Sequence, residues 1–183
     1  MWFRRKNERQ LEIRRLRDEV VRLQTAERAY REIVNRTNAI VLRWDPDGRI
    51  LFMNDFGQRL FGYTEEELIG RSVLELIVPE REESSGRDLV AMIHDILRHP
   101  DRYEHNENEN VGRDGTRLWI TWRNTPIVGA GGRLVEILST GIDTTDRKRA
   151  EDALRANEER FRELAVQDGR SDESVVELSL IHI

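Results

Sequence analysis

In the C-terminal third of the chain an apolar strand ending Gly141-Ile142-Asp143 runs without a linker into Thr144-Thr145-Asp146-Arg147-Lys148-Arg149-Ala150-Glu151, the start of a charged helix. A sheet wired directly to a helical rod leaves few ways to fold, because the rod must begin where the strand leaves the sheet. A stiff helix also transmits rotation or tilt that a flexible linker absorbs. The arrangement suits a module that reports its own state downstream, and it suits a catalyst less well.

Helical periods flank both ends. From residue 7 to 36 there is no Gly or Pro, and apolar residues fall at Ile13, Leu16, Val20, Leu23, Tyr30 and Val34, with Glu27 interrupting the seam. Steps that alternate between three and four are the period of a coiled coil, so the simplest expectation is a parallel homodimer joined through Leu16, Val20 and Leu23. Bases outnumber acids over residues 1–36, which reads as solvated coiled-coil flanks. After the strand, Ala150, Leu154, Asn157, Phe161 and Leu164 make a second seam, in which Leu154 and Phe161 are the dimer contacts and Asn157 sets the register. Residues 167–183 lose the period and are expected to be a disordered or truncated tail. The final Leu178-Ser179-Leu180-Ile181-His182-Ile183 resembles the translated end of a sequencing adapter, so the chain is expected to be a fragment.

Between the rods, Ile40-Val41-Leu42-Arg43-Trp44 and Arg49-Ile50-Leu51-Phe52-Met53 are joined by Asp45-Pro46-Asp47-Gly48, a hairpin signature. Asn54 can cap a short helix through Phe61, and Thr64-Glu65-Glu66-Glu67 is a capping-box pattern. Leu89, Val90, Ile93, Ile96 and Leu97 share one face of a helix expected over residues 81–97, which His99-Pro100 stops. Strands are expected over 103–111, 117–127 and 133–142, separated by Gly-containing turns. Two strands, a helical block and three more strands make an α+β fold with a five-stranded antiparallel sheet and short helices on one face.

Length and composition limit the alternatives. At 183 residues, 38% hydrophobic and 36% charged, the chain has room for one globular domain with arms. A net charge of -5 gives no general attraction to nucleic acid. The absence of cysteine rules out disulfides and thiolate metal sites, and with no apolar run long enough for a membrane segment the expected location is the cytoplasm.

These elements, in this order, carry a family resemblance over residues 30–154. Phe52-Met53-Asn54-Asp55-Phe56 with Leu60-Phe61-Gly62-Tyr63-Thr64-Glu65-Glu66-Glu67-Leu68-Ile69-Gly70 resembles the signature of a PAS sensor domain of the PAS/PAC or S-box type. Arg113-Asp114-Gly115-Thr116 with Leu118-Trp119-Ile120 resembles the PAC hairpin. Gly141-Ile142-Asp143-Thr144-Thr145 resembles the output motif, where the family usually has Ile in place of Thr144. The resemblance implies an N-terminal coiled-coil helix over 1–36, a sensor domain over 37–143 and a signalling helix over 144–166. It further implies dimerisation through the flanking helices and a downstream signalling domain in the same polypeptide, of histidine kinase or diguanylate cyclase type.

By the same resemblance, alternate residues of three strands line a ligand pocket: Asn108 and Asn110, then Ile120, Trp122 and Asn124, then Ile137, Ser139 and Gly141. Asp143, Thr145 and Arg147 are expected to relay the pocket's state into the helix. The cofactor is left unknown, with haem and flavin both disfavoured. The light-sensing relatives carry a cysteine where this chain has Ser72-Val73 after Gly70-Arg71, and of their flavin contacts only Asn110 survives. The axial histidine of haem-binding relatives falls near Arg87, and His94 lies about two turns on. No metal is expected, since His94, His99 and His105 are too dispersed for a zinc site. No catalysis is expected either: Ser84-Ser85-Gly86 and Gly129-Ala130-Gly131-Gly132 lack the lysine or histidine spacing that makes such segments chemical. The alternatives to a ligand sensor are a purely structural dimer adaptor and a haem- or flavin-based redox or gas sensor.

Overall fold

A computed structural model of the protein describes residues 2–167. The tail from 168 onward, with the adapter-like residues 178–183, lies outside the described residues. The chain divides after Asp143 into two compact units.

The first unit opens with α1 (Trp2–Asn35), followed by β1 (Ile40–Trp44) and β2 (Ile50–Met53). Four helices come next: α2 (Asp55–Phe61), α3 (Glu65–Leu68), α4 (Val73–Leu76) and α5 (Leu89–Arg98). Three long strands complete it: β3 (His105–Val111), β4 (Arg117–Val128) and β5 (Leu134–Asp143). All pairings are antiparallel and the strand order is β2-β1-β5-β4-β3. This is the α+β architecture expected from the strand and turn pattern. The second unit is α6 (Thr145–Gln167), which begins after a single intervening residue.

The core lies between one face of the sheet and the short helices. Ile40, Leu42 and Trp44 point inward from β1, Ile120 and Trp122 from β4, and Ile137 from β5, meeting Phe61, Leu68, Val73, Ile77, Leu89, Ile93 and Ile96. Each fully buried aliphatic side chain contributes roughly 1.5–3 kcal/mol, so this cluster holds the unit together. Ile50 and Met53 both reach the core despite their odd spacing, because a register shift opposite Arg43 and Trp44 turns the strand between them.

Local sequence explains where the helices start and stop. Asn54 caps α2 by accepting from Gly57 N at 3.1 Å, and Gly62 ends it in the left-handed region at φ 78°. Glu67 accepts from Thr64 N at 3.0 Å, closing the expected capping box.

Most strand and helix ends fall within a residue of the sequence reading, and two starts lie further off. The helix expected from residue 81 begins at Leu89, capped by Asp88 accepting from Ala91 N at 2.9 Å. The preceding segment folds as a closed loop because Glu82 turns inward to meet Arg87 and Ser85, and the chain reverses through Gly86. The strand expected from residue 103 begins at His105, since Pro100–Tyr103 form a 3-10 turn.

Candidate functional site

The inner face of β3, β4 and β5 encloses a cavity of about 30 Å³. Leu42, Trp44, Val73, Ile77, Val78, Ile93 and Ile96 supply its apolar wall, and Asn106, Asn108, Asn110, Trp122, Asn124 and Ser139 its polar one. One water needs roughly 10–15 Å³ of such space and a drug-sized ligand needs several hundred. The cavity is therefore of water size, and neither a haem nor a flavin ring fits it in this conformation.

The polar wall is one continuous hydrogen-bonded chain. Trp44 Nε1 donates to Ser139 Oγ at 2.9 Å, and Ser139 Oγ donates to Asn124 Oδ1 at 2.6 Å. Asn124 Nδ2 donates to Asn106 Oδ1 at 2.7 Å and to Tyr103 O at 2.8 Å. Asn106 Nδ2 donates to Asn108 Oδ1 at 2.9 Å, and Asn108 Nδ2 donates to Asn110 Oδ1 at 3.3 Å. Asn110 Oδ1 also accepts from Trp122 Nε1 at 3.1 Å, while its amide donates to Ile77 O at 2.9 Å. Among the described residues no buried side-chain polar atom lacks a partner. A buried polar network that is fully satisfied specifies one arrangement; a partly satisfied one costs stability. A guest must insert into this chain or displace a link of it.

Of the expected pocket residues, Asn108, Asn110, Trp122, Asn124 and Ser139 line the cavity. Ile120 and Ile137 share their face but fill the adjacent core, both with no exposed surface. Gly141 lies under Trp122, where a Cβ meets the ring at 2.7 Å, so only glycine admits the indole. Sequence reasoning confined to the last three strands passed over Trp44 and Leu42, although their period-two spacing on the first strand already placed them on the inner face.

The edge strand β3 is tied to the loop that precedes α5. Arg87 donates to Glu82 and to Glu107 O, each at 2.6 Å, which ties the loop over residues 79–88 to β3. Glu109 accepts from Glu83 N at 2.6 Å and from Arg117 at 3.1 Å. Arg87, near the expected axial position, thus sits in this loop and not on α5, and His94 is exposed on α5 away from the cavity lining. Among the described residues no cluster of His, Asp and Glu could hold a metal ion.

Asn54 fastens α1 to the sheet. Fully buried, it donates to Val34 O at 3.1 Å and to Ala39 O at 2.9 Å, and it accepts from Val41 N at 3.0 Å as well as from Gly57 N. Asn35 and Asp55 add a reciprocal pair, Asn35 Nδ2 donating at 2.7 Å and Asp55 N at 3.1 Å. Of the relay residues, Asp143 ends β5 opposite Ile120, Thr145 opens α6, and Arg147 pairs with Glu151 at 2.7 Å. The seam residues Leu16, Val20 and Leu23 on α1, and Leu154 and Phe161 on α6, are all exposed, whereas Val34 is buried.

A five-stranded antiparallel sheet that cups a small amide-lined cavity beneath short helices defines a class of compact sensory domains. The chain matches the PAS fold over residues 28–144 and belongs to that family. It is 32% identical over 144 residues to two-component system protein A of Emericella nidulans, an alignment covering 77% of this chain and 20% of that protein. It is 27% identical over 135 residues to the two-component sensor PprA of Pseudomonas aeruginosa, covering 73% of this chain and 14% of that one. The chain therefore spans a fifth or less of these relatives' length. A solved PAS domain from Colwellia psychrerythraea shares the fold with a TM-score of 0.55 and 23% identity, over 67% of this chain and 98% of that one. Among the described residues no helix is long and apolar enough to cross a membrane.

Proposed function

We propose that this chain is a non-catalytic input module whose cavity responds to a small neutral ligand or to partner contact, and which passes that response through Asp143, Thr145 and Arg147 into α6. The observation that carries the reading is continuity: Ser139 sits in the cavity chain, and four residues later the same strand ends and the helix begins. A change at Ser139 needs only to travel along β5. The cavity lining carries no charged side chain, which favours a neutral guest with both donor and acceptor groups. Dimerisation through α1 and α6 and an output domain of kinase or cyclase type, as in two-component relatives, complete the proposal. The module acts in the cytoplasm, with no nucleic-acid partner.

Absorbance and native mass spectrometry of the purified protein test the ligand class. The expected result is no band between roughly 350 and 450 nm, where haem and flavin rings absorb, with any bound species seen only as added mass. A chromophore in that window overturns the assignment. For the relay, Asp143→Ala in the full-length protein is expected to abolish signal-dependent output and to leave the domain folded. Normal output from that variant removes Asp143 from the pathway.

A further inference from the structure

The heptad pattern of α1 specifies more than the existence of a dimer. Ile13, Val20, Glu27 and Val34 take the a positions, and Leu16, Leu23 and Tyr30 the d positions. The first part of this face is open, with Ile13 50%, Leu16 56%, Val20 51% and Leu23 65% exposed. β-branched residues at a with Leu at d favour two parallel strands. Glu12, Glu19 and Ala26 stand at g, and Arg17, Gln24 and Arg31 at e. A parallel partner sets each g beside the next e, so Glu12 meets Arg17 of a second copy. An antiparallel partner over the same stretch sets g against g and e against e, placing Glu19 beside Glu19 and Arg17 beside Arg17. The charges fit a second copy of this chain in one orientation.

The seam cannot continue to the end of the helix. Val34, at the last a position, is packed into its own sensor unit, and Asn54 holds its carbonyl at 3.1 Å. Tyr30, at the last d position, is 47% exposed. Between the open stretch and the buried Val34 stands Glu27, a charge at an a position. Arg31 Nε donates to Glu27 at 3.1 Å and Arg31 Nη1 donates to Glu65 of α3 at 3.4 Å, with the guanidinium 5.9 Å from the Phe52 ring centroid. Glu65 first, then Glu27, holds this arginine still more firmly protonated than usual.

Resting on the dimer reading above, we infer that a second copy docks in parallel along residues 13–23 of α1, that the two helices part at Glu27, and that Arg31 ties the fork to α3 of its own sensor. The seam is short, about three turns, and a seam of that length is marginal on its own. Movement of α3 reaches the fork directly through Arg31.

The chain has no cysteine, so single-cysteine variants report only the introduced thiol. Leu16→Cys, Leu23→Cys and Tyr30→Cys are oxidised under mild conditions and the cross-linked fraction followed over time. Disulfides need Cα atoms within about 7 Å, so the first two are expected to cross-link and Tyr30→Cys to do so at least about tenfold more slowly. Adding Arg31→Ala to Tyr30→Cys is expected to accelerate that reaction, because the released helix can extend the seam. The four positions are exposed, and thermal melting confirms that each variant folds. Equal rates at positions 23 and 30 overturn the fork, and no effect of Arg31→Ala overturns the tie. A dimer by sedimentation that fails to cross-link at 16 and 23 overturns the seam alone. A monomer at high concentration overturns the dimer reading itself.

Discussion

The cavity wall and the helical arms handle their side chains in opposite ways. In the wall, the amides, indoles and hydroxyl from Trp44 to Asn110 are buried or half-buried, and each finds its partner within the same unit. In the arms, Leu16, Leu23, Leu154 and Phe161 leave half or more of their surface in solvent. Ion pairs one helical turn apart, such as Arg36–Glu32 and Arg147–Glu151, support the arms locally. Such exposed pairs contribute a few tenths of a kcal/mol each. The sensor unit is thus specified by its own chain, while the arms leave an apolar face uncovered.

Substitutions can break or sharpen this contrast. The largest effect is expected at the joint between the two regions, where Asn54→Ala removes a helix cap and strands buried donors and acceptors from α1, β1 and α2. Urea unfolding is expected to show a loss of roughly 3 kcal/mol. A loss under about 1 kcal/mol means that α1 is not fastened to the sheet there. Next comes Gly141→Ala, which drives a methyl into the Trp122 ring at 2.7 Å, while the Nε1–Asn110 bond keeps the ring in place. Overpacking of this kind costs about 2 kcal/mol, measured as a fall in Tm. A silent variant implies that the indole can leave its slot. The smallest effect belongs to Leu154→Ala, whose side chain is 61% exposed. The sensor's unfolding free energy should change by less than about 0.5 kcal/mol, whereas dissociation of the proposed dimer, followed by sedimentation, should shift to higher protein concentration.

Much of the fold was legible in linear order because its signals are local. Asn54, Thr64 with Glu67, and the Asp45-Pro46-Asp47-Gly48 turn act within a few residues, and the chain folds as they indicate. The helix start at 89 was missed, although Ser84-Ser85-Gly86 is a poor helical run and Asp88 a good cap, because the apolar period was extended back over them. What prevents the helix there is burial of Glu82 against Arg87 and the tie from Arg87 to a carbonyl of β3, twenty residues away. Much of the cavity was likewise hidden: period-two spacing finds the inner face, but it does not say which inward residues open onto space and which fill it. Ile120 and Asn108 are cross-strand partners on that face, yet one packs into the core and the other lines the cavity.

Alternation, caps and the unbroken strand-to-helix junction determined by themselves that this chain forms a sheet with a helix leaving its last strand, because those rules involve neighbours in sequence. The tertiary structure decided that the strand amides link into one satisfied chain around a space of water size. It also decided that Val34, at the end of the apolar face of α1, is packed into the sensor. Both outcomes depend on residues far apart in sequence competing for the same volume and the same hydrogen bonds, which no local pattern records.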